Sequence, residues 1–316
     1  MKAQDTKIIE LKELVITEQT LSSAKRKVFN KYIIAITIVV LIALLSYAIL
    51  TVNQLAALHL VLQRDHHLFY WMVLTGFCAE IIAGSMGMGY GVICTTILLI
   101  LNIPPAIISA SIHSAESFTS AAGTISHWQL KNIDKKLVKA LAIPAVIGAV
   151  IGALTLTYVG ENYAKLTKPV IAVYTMYLGL RILRNAYKNK TGNEHKKKTN
   201  IPILGLIGGF IDSFGGGGWG PLVTGTFIKN GHAPRYIIGS STMAKCILTV
   251  ASAITFIFTV GIQHWNIVAG LLIGGIITAP FSAMLTSRLP IRKMFIAVGI
   301  VVIIMSFITI YRAIFL

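Results

Sequence analysis

Five side chains that ionise or carry protons fall inside stretches apolar enough to lie in a membrane: Glu80, His113, Glu116, Asp212 and Lys245. A charge at the bilayer centre costs a few kcal/mol, so each must pair, share a proton or face a polar cavity. His113 precedes Glu116 by three residues and shares its helix face, a spacing that suits proton handling by an imidazole and a carboxylate together. Asp212 stands at the C-terminal end of an apolar segment, where the helix dipole disfavours a carboxylate. It therefore needs a backbone N–H or a proton. Glu80, His113, Glu116 and Asp212 form the candidate proton-coupling set. Asp134, in KNIDKK, reads as a solvated residue near the membrane edge.

Glycine interrupts the apolar pattern twice, as GSMGMGYG at 84–91 and GGGGWGP at 215–221. Backbone that leaves a helix in hydrocarbon exposes N–H and C=O groups at several kcal/mol each, and persists only where protein, water or a ligand satisfies them. A half-helix starting at such a break points free N–H groups and its positive dipole end inward. Gly87, Gly89 and Gly91 in the first break, and Gly215, Gly216, Gly217 and Gly218 in the second, are thus candidates for holding a small anion. Tyr90 and Trp219 each stand one residue before the last glycine of a break, where an aromatic either covers a substrate or fills the gap beside the glycines. Lys245, the one basic residue deep inside a span rather than near its ends, joins the anion-binding set. Gly148, Gly152, Gly274 and Gly275 read instead as close helix contacts.

These residues need a membrane scaffold, and the composition supplies one. The chain has 316 residues, 55% hydrophobic and 12% charged, with a mean hydropathy of +0.75. Apolar runs near the length needed to span hydrocarbon predict eleven spans, at about 33–52, 68–84, 91–102, 106–127, 137–157, 166–184, 201–214, 218–229, 235–260, 266–287 and 293–312. The net charge of +17 does not signal nucleic acid, because 23 of the 28 basic residues fall on one side of this topology. That asymmetry predicts a cytoplasmic N-terminus and an external C-terminus in an inner (plasma) membrane. The three cysteines, Cys78, Cys94 and Cys246, have no metal-ligand spacing, so no metal or cofactor is expected. The first span lies too far from Met1 for a removable signal and reads as a retained helix.

Sliding the sequence on itself by 129 residues aligns GMGYGV (87–92) with GGGWGP (216–221), and also Thr95 with Thr224, Pro105 with Pro234, Ser111 with Ser240 and Glu116 with Lys245. A shared offset over so long a stretch predicts two related copies. Each holds five spans, an odd number, so the second copy enters the membrane inverted, an arrangement characteristic of secondary transporters. If the copies pack about a two-fold axis, Glu116 and Lys245 approach and pair. The expected fold is an all-α polytopic membrane protein: a core of about ten helices in two inverted five-segment repeats with broken helices, plus one extra N-terminal transmembrane helix. The expected parts are a cytoplasmic tail (1–31), the extra helix and its external loop (32–67), the first repeat (68–184), a basic linker (185–200) and the second repeat (201–316).

The runs GGFID followed by GGGGWGPLVT, SASIHSAESFTSAAGTISHWQLKNID, and IIGSSTMAKCILTVASAITF together resemble the TauE/SafE-type sulfite exporter family. The likeness covers roughly 70 to 315. It implies a small-anion carrier of the inner membrane that moves sulfite, sulfoacetate or related sulfur-containing organic anions with a proton gradient. Its motif residues are Gly87, Gly89, Gly91, Ala115-Glu116 and the run Asp212 to Pro221. This chain departs at Ala244-Lys245, where the family's second-half motif reads Ala-Glu. Against the carrier stand an anion channel and an intramembrane enzyme; no H-E-x-x-H motif favours the latter. The expected partners are a small anion, protons and the lipid bilayer, without nucleic acid, and a homodimer is compatible.

Overall fold

The computed structural model describes residues 66–86, 88–187, 199–261, 265–285 and 291–315, all within the compact unit Arg64–Leu316. The predicted helix at 33–52, the N-terminal tail, Gly87 and most of the basic linker lie outside the described residues. Among those described there is no strand. The elements are α1 (His66–Met86), α2 (Tyr90–Ile100), α3 (Pro105–Gln129), α4 (Lys135–Asn162), α5 (Ala164–Tyr187), α6 (Ile201–Gly215), a π-helical turn (Gly220–Thr224) running into α7 (Gly225–Lys229), α8 (Pro234–Thr259), α9 (Trp265–Leu285) and α10 (Ile291–Phe315). They coincide with the predicted spans to within a few residues.

Local sequence sets the ends. Pro105 and Pro234 open α3 and α8, where a missing N–H does no harm. The Asp134 carboxylate caps α4 by accepting from the Lys136 and Leu137 N–H groups at 2.9 and 3.3 Å. Left-handed residues stop four helices at matching places. Asn102 follows α2 as Gly231 follows α7, and Lys131 follows α3 as Gly261 follows α8. The hydrogen bonds match as well: the Ile103 N–H donates to Leu98 and the His232 N–H to Phe227.

The most extensive packing joins a helix of 68–184 to one of 201–315: α1 with α9, α4 with α6, α5 with α10, and α3 with α8. Exchanging the two halves leaves this scheme unchanged. Small residues let the backbones touch, with Gly148 and Gly152 of α4 on Leu206 and Phe210 of α6, and Gly274 of α9 on Val73 of α1. Gly275 abuts the Thr119 side chain. Residues 129 apart also meet face to face, Ser120 with Thr249 and Ser117 with Cys246.

By length and composition alone, five described helices can cross a membrane, containing His67–Gly84, Lys135–Gly160, Leu166–Ala186, Arg235–Thr259 and Ile296–Phe315. α3 has the length but too many polar residues to meet that measure, because serines, threonines, His113 and Glu116 fill its inward face. Phe118, Ile125 and Trp128 of the same helix are exposed. α2 has 11 residues, about 16 Å, half a bilayer. Each half-helix sits in an apolar cluster: α2 among Ile108, Ile112 and Phe256, and the stretch from Trp219 to Phe227 among Leu141, Ala145 and Leu248. Outward residues such as Ile143, Val170, Ile304 and Phe307 are exposed and apolar, as a lipid-facing surface requires.

The two glycine breaks touch. A Cβ on Gly91 would collide with the Gly216 carbonyl and Gly217 Cα, and one on Gly217 with the Gly91 and Val92 backbone. Backbone cannot yield as a flexible side chain does. Gly91→Ala is expected to cost about 1–3 kcal/mol, read as a lower thermal midpoint of the detergent-purified protein. Gly160→Ala, whose Cβ would meet only the Ala106 methyl at 3.5 Å, should leave that midpoint unchanged.

Candidate functional site

Asp212 ends α6 on its last turn, and Gly216, with φ of 67°, turns the chain out of the helix where a side chain would be strained. The chain then doubles back, and the Trp219 N–H donates to Asp212 Oδ1 at 2.7 Å. This is the loop N–H that a carboxylate at a helix C-terminus requires. The neighbouring carbonyls are satisfied from the other half and from α5: Thr95 Oγ1 donates to Gly216 O, and Tyr174 Oη to Gly217 O, both at 2.8 Å. Gly89, with φ of 111°, opens α2 in the same left-handed way, and Gly91 meets Gly216 and Gly217. Gly215 and Gly218 pack against the Tyr174 ring and hydroxyl. A crevice with no room for a water molecule lies beside this crossing, lined by Thr95, Leu99, Pro105, Ile108, Ile171 and the Gly215-Gly216 backbone.

Tyr90 and Trp219 are each 1% exposed with their polar atoms engaged. Tyr90 Oη donates to Leu271 O at 3.3 Å, and Trp219 Nε1 to Ser241 Oγ at 2.8 Å. In this conformation both rings fill the space beside the glycines.

The other half of Asp212 faces a histidine. His113 Nε2 lies 3.6 Å from Asp212 Oδ2, both side chains essentially inaccessible, and neither atom has a hydrogen-bond partner. His113 Nδ1 is 2.8 Å from the Ser109 carbonyl, so Nδ1 carries a proton and donates it there. Neutral imidazole would then aim the Nε2 lone pair at a carboxylate oxygen. One proton between Nε2 and Oδ2 removes the conflict, whether it makes His113 an imidazolium or Asp212 an acid. Ser109 Oγ donates to Ser213 O at 2.6 Å, and Ser213 shares a hydrogen bond with Ser252, which fixes α3 against α6 and α8.

Lys245 of α8 donates to Glu116 Oε1 of α3, an ion pair between the two residues that the 129-residue offset matches. Glu80 of α1 is buried in the field of both charges. Lys245 and Asp212 also act on one another, and Glu80 and Glu116 act on Tyr90 and Cys94 of α2. The cluster therefore lies between the two breaks. Of the residues expected from the sequence, Glu80, His113, Glu116, Asp212, Lys245, Gly89, Gly91, Gly216 and Gly217 converge here. His113, though on the Glu116 face of α3, turns its ring to Asp212.

Two half-helix starts thus meet near a buried Glu116–Lys245 ion pair and the His113–Asp212 contact. The family model described as "Sulfite exporter TauE/SafE" matches residues 72–308. The chain belongs to the TauE/SafE family. It is 38% identical over 233 residues, 71% of this chain and 76% of that protein, to "Probable membrane transporter protein YtnM" of Bacillus subtilis (strain 168). It is also 26% identical over 245 residues, 73% of this chain and 96% of the other, to "Probable membrane transporter protein YjnA" of the same organism. No solved structure matches. This TauE/SafE protein is a multi-pass membrane transporter.

Several residues at the site carry no signal that sequence reading could use. Tyr174 and Ser252 sit in ordinary apolar helices, whereas Thr95 was already marked by its alignment with Thr224. Removing one member of a buried ion pair costs about 3–5 kcal/mol, because a charge is left unpaired. Lys245→Met and Glu116→Gln should each lower the thermal midpoint in detergent, Lys245→Met the more, since Glu116 is the deeper of the two. The double variant should recover most of the loss.

Proposed function

We propose that this transporter is a secondary carrier of small anions, sulfite or organosulfonates such as sulfoacetate, that exports them by alternating access with proton coupling through the buried set Glu80, His113, Glu116 and Asp212. The two halves are inverted copies in a plasma membrane, with the N-terminus cytoplasmic. The observation that carries this reading is the single buried gap between His113 Nε2 and Asp212 Oδ2, which calls for one proton beside the backbone of the second glycine break. Losing that proton disturbs the carboxylate that caps Trp219, which ties protonation to the shape of the break. Two half-helices starting near the same point suit an anion. The reciprocal packing of the halves and the meeting of residues 129 apart support a two-fold relation between copies. A filter for a channel more commonly arises from symmetric oligomers than from two dissimilar loops in one chain.

Uptake of labelled sulfite and of sulfoacetate into proteoliposomes, with and without an imposed pH gradient, tests the proposal. Wild type should show saturable, gradient-driven uptake and counter-transport. Asp212→Asn should take gradient-driven uptake to background while the protein stays monodisperse. Absence of uptake of both anions under any gradient would remove this substrate class, and single-channel currents would replace the carrier with a channel.

A further inference from the structure

We propose that the Lys245 ammonium is the charged contact for the transported anion, and that Glu116 competes with that anion for it, so that each anion enters the site as Glu116 takes up a proton. The inference rests on the carrier reading above and adds which groups exchange partners.

Charge balance in the interior leads to it. Other described lysines and arginines lie in loops or within the first or last two turns of their helices, and Lys245 alone among them sits deep in a span. Around it stand three carboxylates, Glu80, Glu116 and Asp212. With one proton held between His113 and Asp212, ionised Glu80 and Glu116 against the Lys245 ammonium leave one excess negative charge. A further anion added to it would be repelled strongly in so poorly solvated a place. An anion therefore enters only with a compensating proton, and the acceptor is the carboxylate whose neutralisation frees a cation.

Asp212 does not meet that condition, since its Oδ1 is held by the Trp219 N–H and its Oδ2 faces His113. Glu80 does not either, since the ammonium is bound by Glu116 and not by Glu80. Glu116 does, because its Oε1 is what holds the ammonium. The titratable groups that face Glu116 are Lys245 of α8, Asp212 of α6, His113 on its own helix, Glu80 of α1, and Tyr90 and Cys94 of α2. Of the pair, Lys245 keeps 15% of its side-chain surface and Glu116 only 5%. The lysine is the less enclosed member of the pair.

The exchange balances. At rest the Glu116 carboxylate accepts from the Lys245 ammonium; after entry Glu116 is a neutral acid and the ammonium donates to the anion. One proton and one monoanion arrive together, and the charge of the cluster is unchanged. A monoanion is thus carried with one proton in an electroneutral step whose direction follows the sum of the anion and proton gradients, so export proceeds where the outward anion gradient exceeds the inward proton gradient; a dianion needs a second proton.

Sulfite transport by full-length protein in proteoliposomes separates the steps, with counterflow reading anion exchange and accumulation under a pH gradient reading coupling. Wild type should accumulate sulfite at a rate unaffected when valinomycin and potassium set the membrane potential. Glu116→Gln leaves the ammonium without its competitor. It should exchange sulfite with a lower apparent KM that no longer varies with pH, and lose gradient-driven accumulation. Lys245→Met should lose both activities. Because the two positions face one another at matching places in the two halves, the swap Glu116→Lys with Lys245→Glu should regain both. Should Lys245→Met fail to purify as a monodisperse protein, Glu116→Gln and the swap decide the matter. Accumulation by Glu116→Gln at the wild-type level, or counterflow by Lys245→Met, overturns the competition while leaving the carrier intact. Wild type that neither exchanges nor accumulates sulfite or sulfoacetate overturns the carrier reading and this one with it.

Discussion

The bond from the Trp219 N–H to the Asp212 carboxylate is the contact on which the interior depends. Hydrocarbon offers no partner to backbone that leaves a helix, so a break survives only if the protein satisfies it. Asp212 does so from the far side of the four glycines, and in doing so becomes a buried charge that needs an answer of its own. His113 is the group that faces it, with Nε2 3.6 Å from Oδ2. The rest follows in sequence: Ser109 orients the imidazole, Ser213 and Ser252 hold α3 to α6 and α8, and Thr95 and Tyr174 close the loop carbonyls.

Placing an ion pair and a proton-sharing pair side by side divides the electrostatic task. The Glu116–Lys245 pair is neutral as a unit and leaves its cation partly accessible, whereas the His113–Asp212 pair is sealed. Movement of a proton in one shifts the field at the other, since Asp212 acts on both Glu116 and Lys245. The tight crossing of Gly91 with Gly216 and Gly217 brings both half-helices to the same place. A shift of either break is then felt by the other.

Much of this was legible in the sequence, for physical reasons. Apolar runs report spans directly because the bilayer sets their length, and the described helices follow them closely. The glycine breaks were legible because few other residues tolerate φ values like those of Gly89 and Gly216. The contact of Glu116 with Lys245 was legible from the 129-residue offset that aligns the two positions. The facing of His113 and Asp212 was not. Helical spacing tells which residues share a side of α3, and it places His113 with Glu116. Which of two neighbouring helices a ring turns to depends on χ angles and on the Ser109 carbonyl, neither of which leaves a periodic trace. Tyr174 was hidden likewise, as one tyrosine among several on an apolar helix whose hydroxyl happens to reach Gly217.

The cross-pairing of helices has a consequence for how the chain is made. α1 finds its principal neighbour, α9, only when almost the whole polypeptide has been synthesised, and α3 must wait for α8. The first five helices thus leave the ribosome and enter the bilayer without their packing partners, with Glu116 still lacking its lysine. Neither half is a folding unit by itself. Assembly is concentrated at the end of synthesis, when the second half threads its helices between those of the first, so a truncated chain would offer the quality-control proteases of the membrane an unpaired buried acid and bare glycine faces.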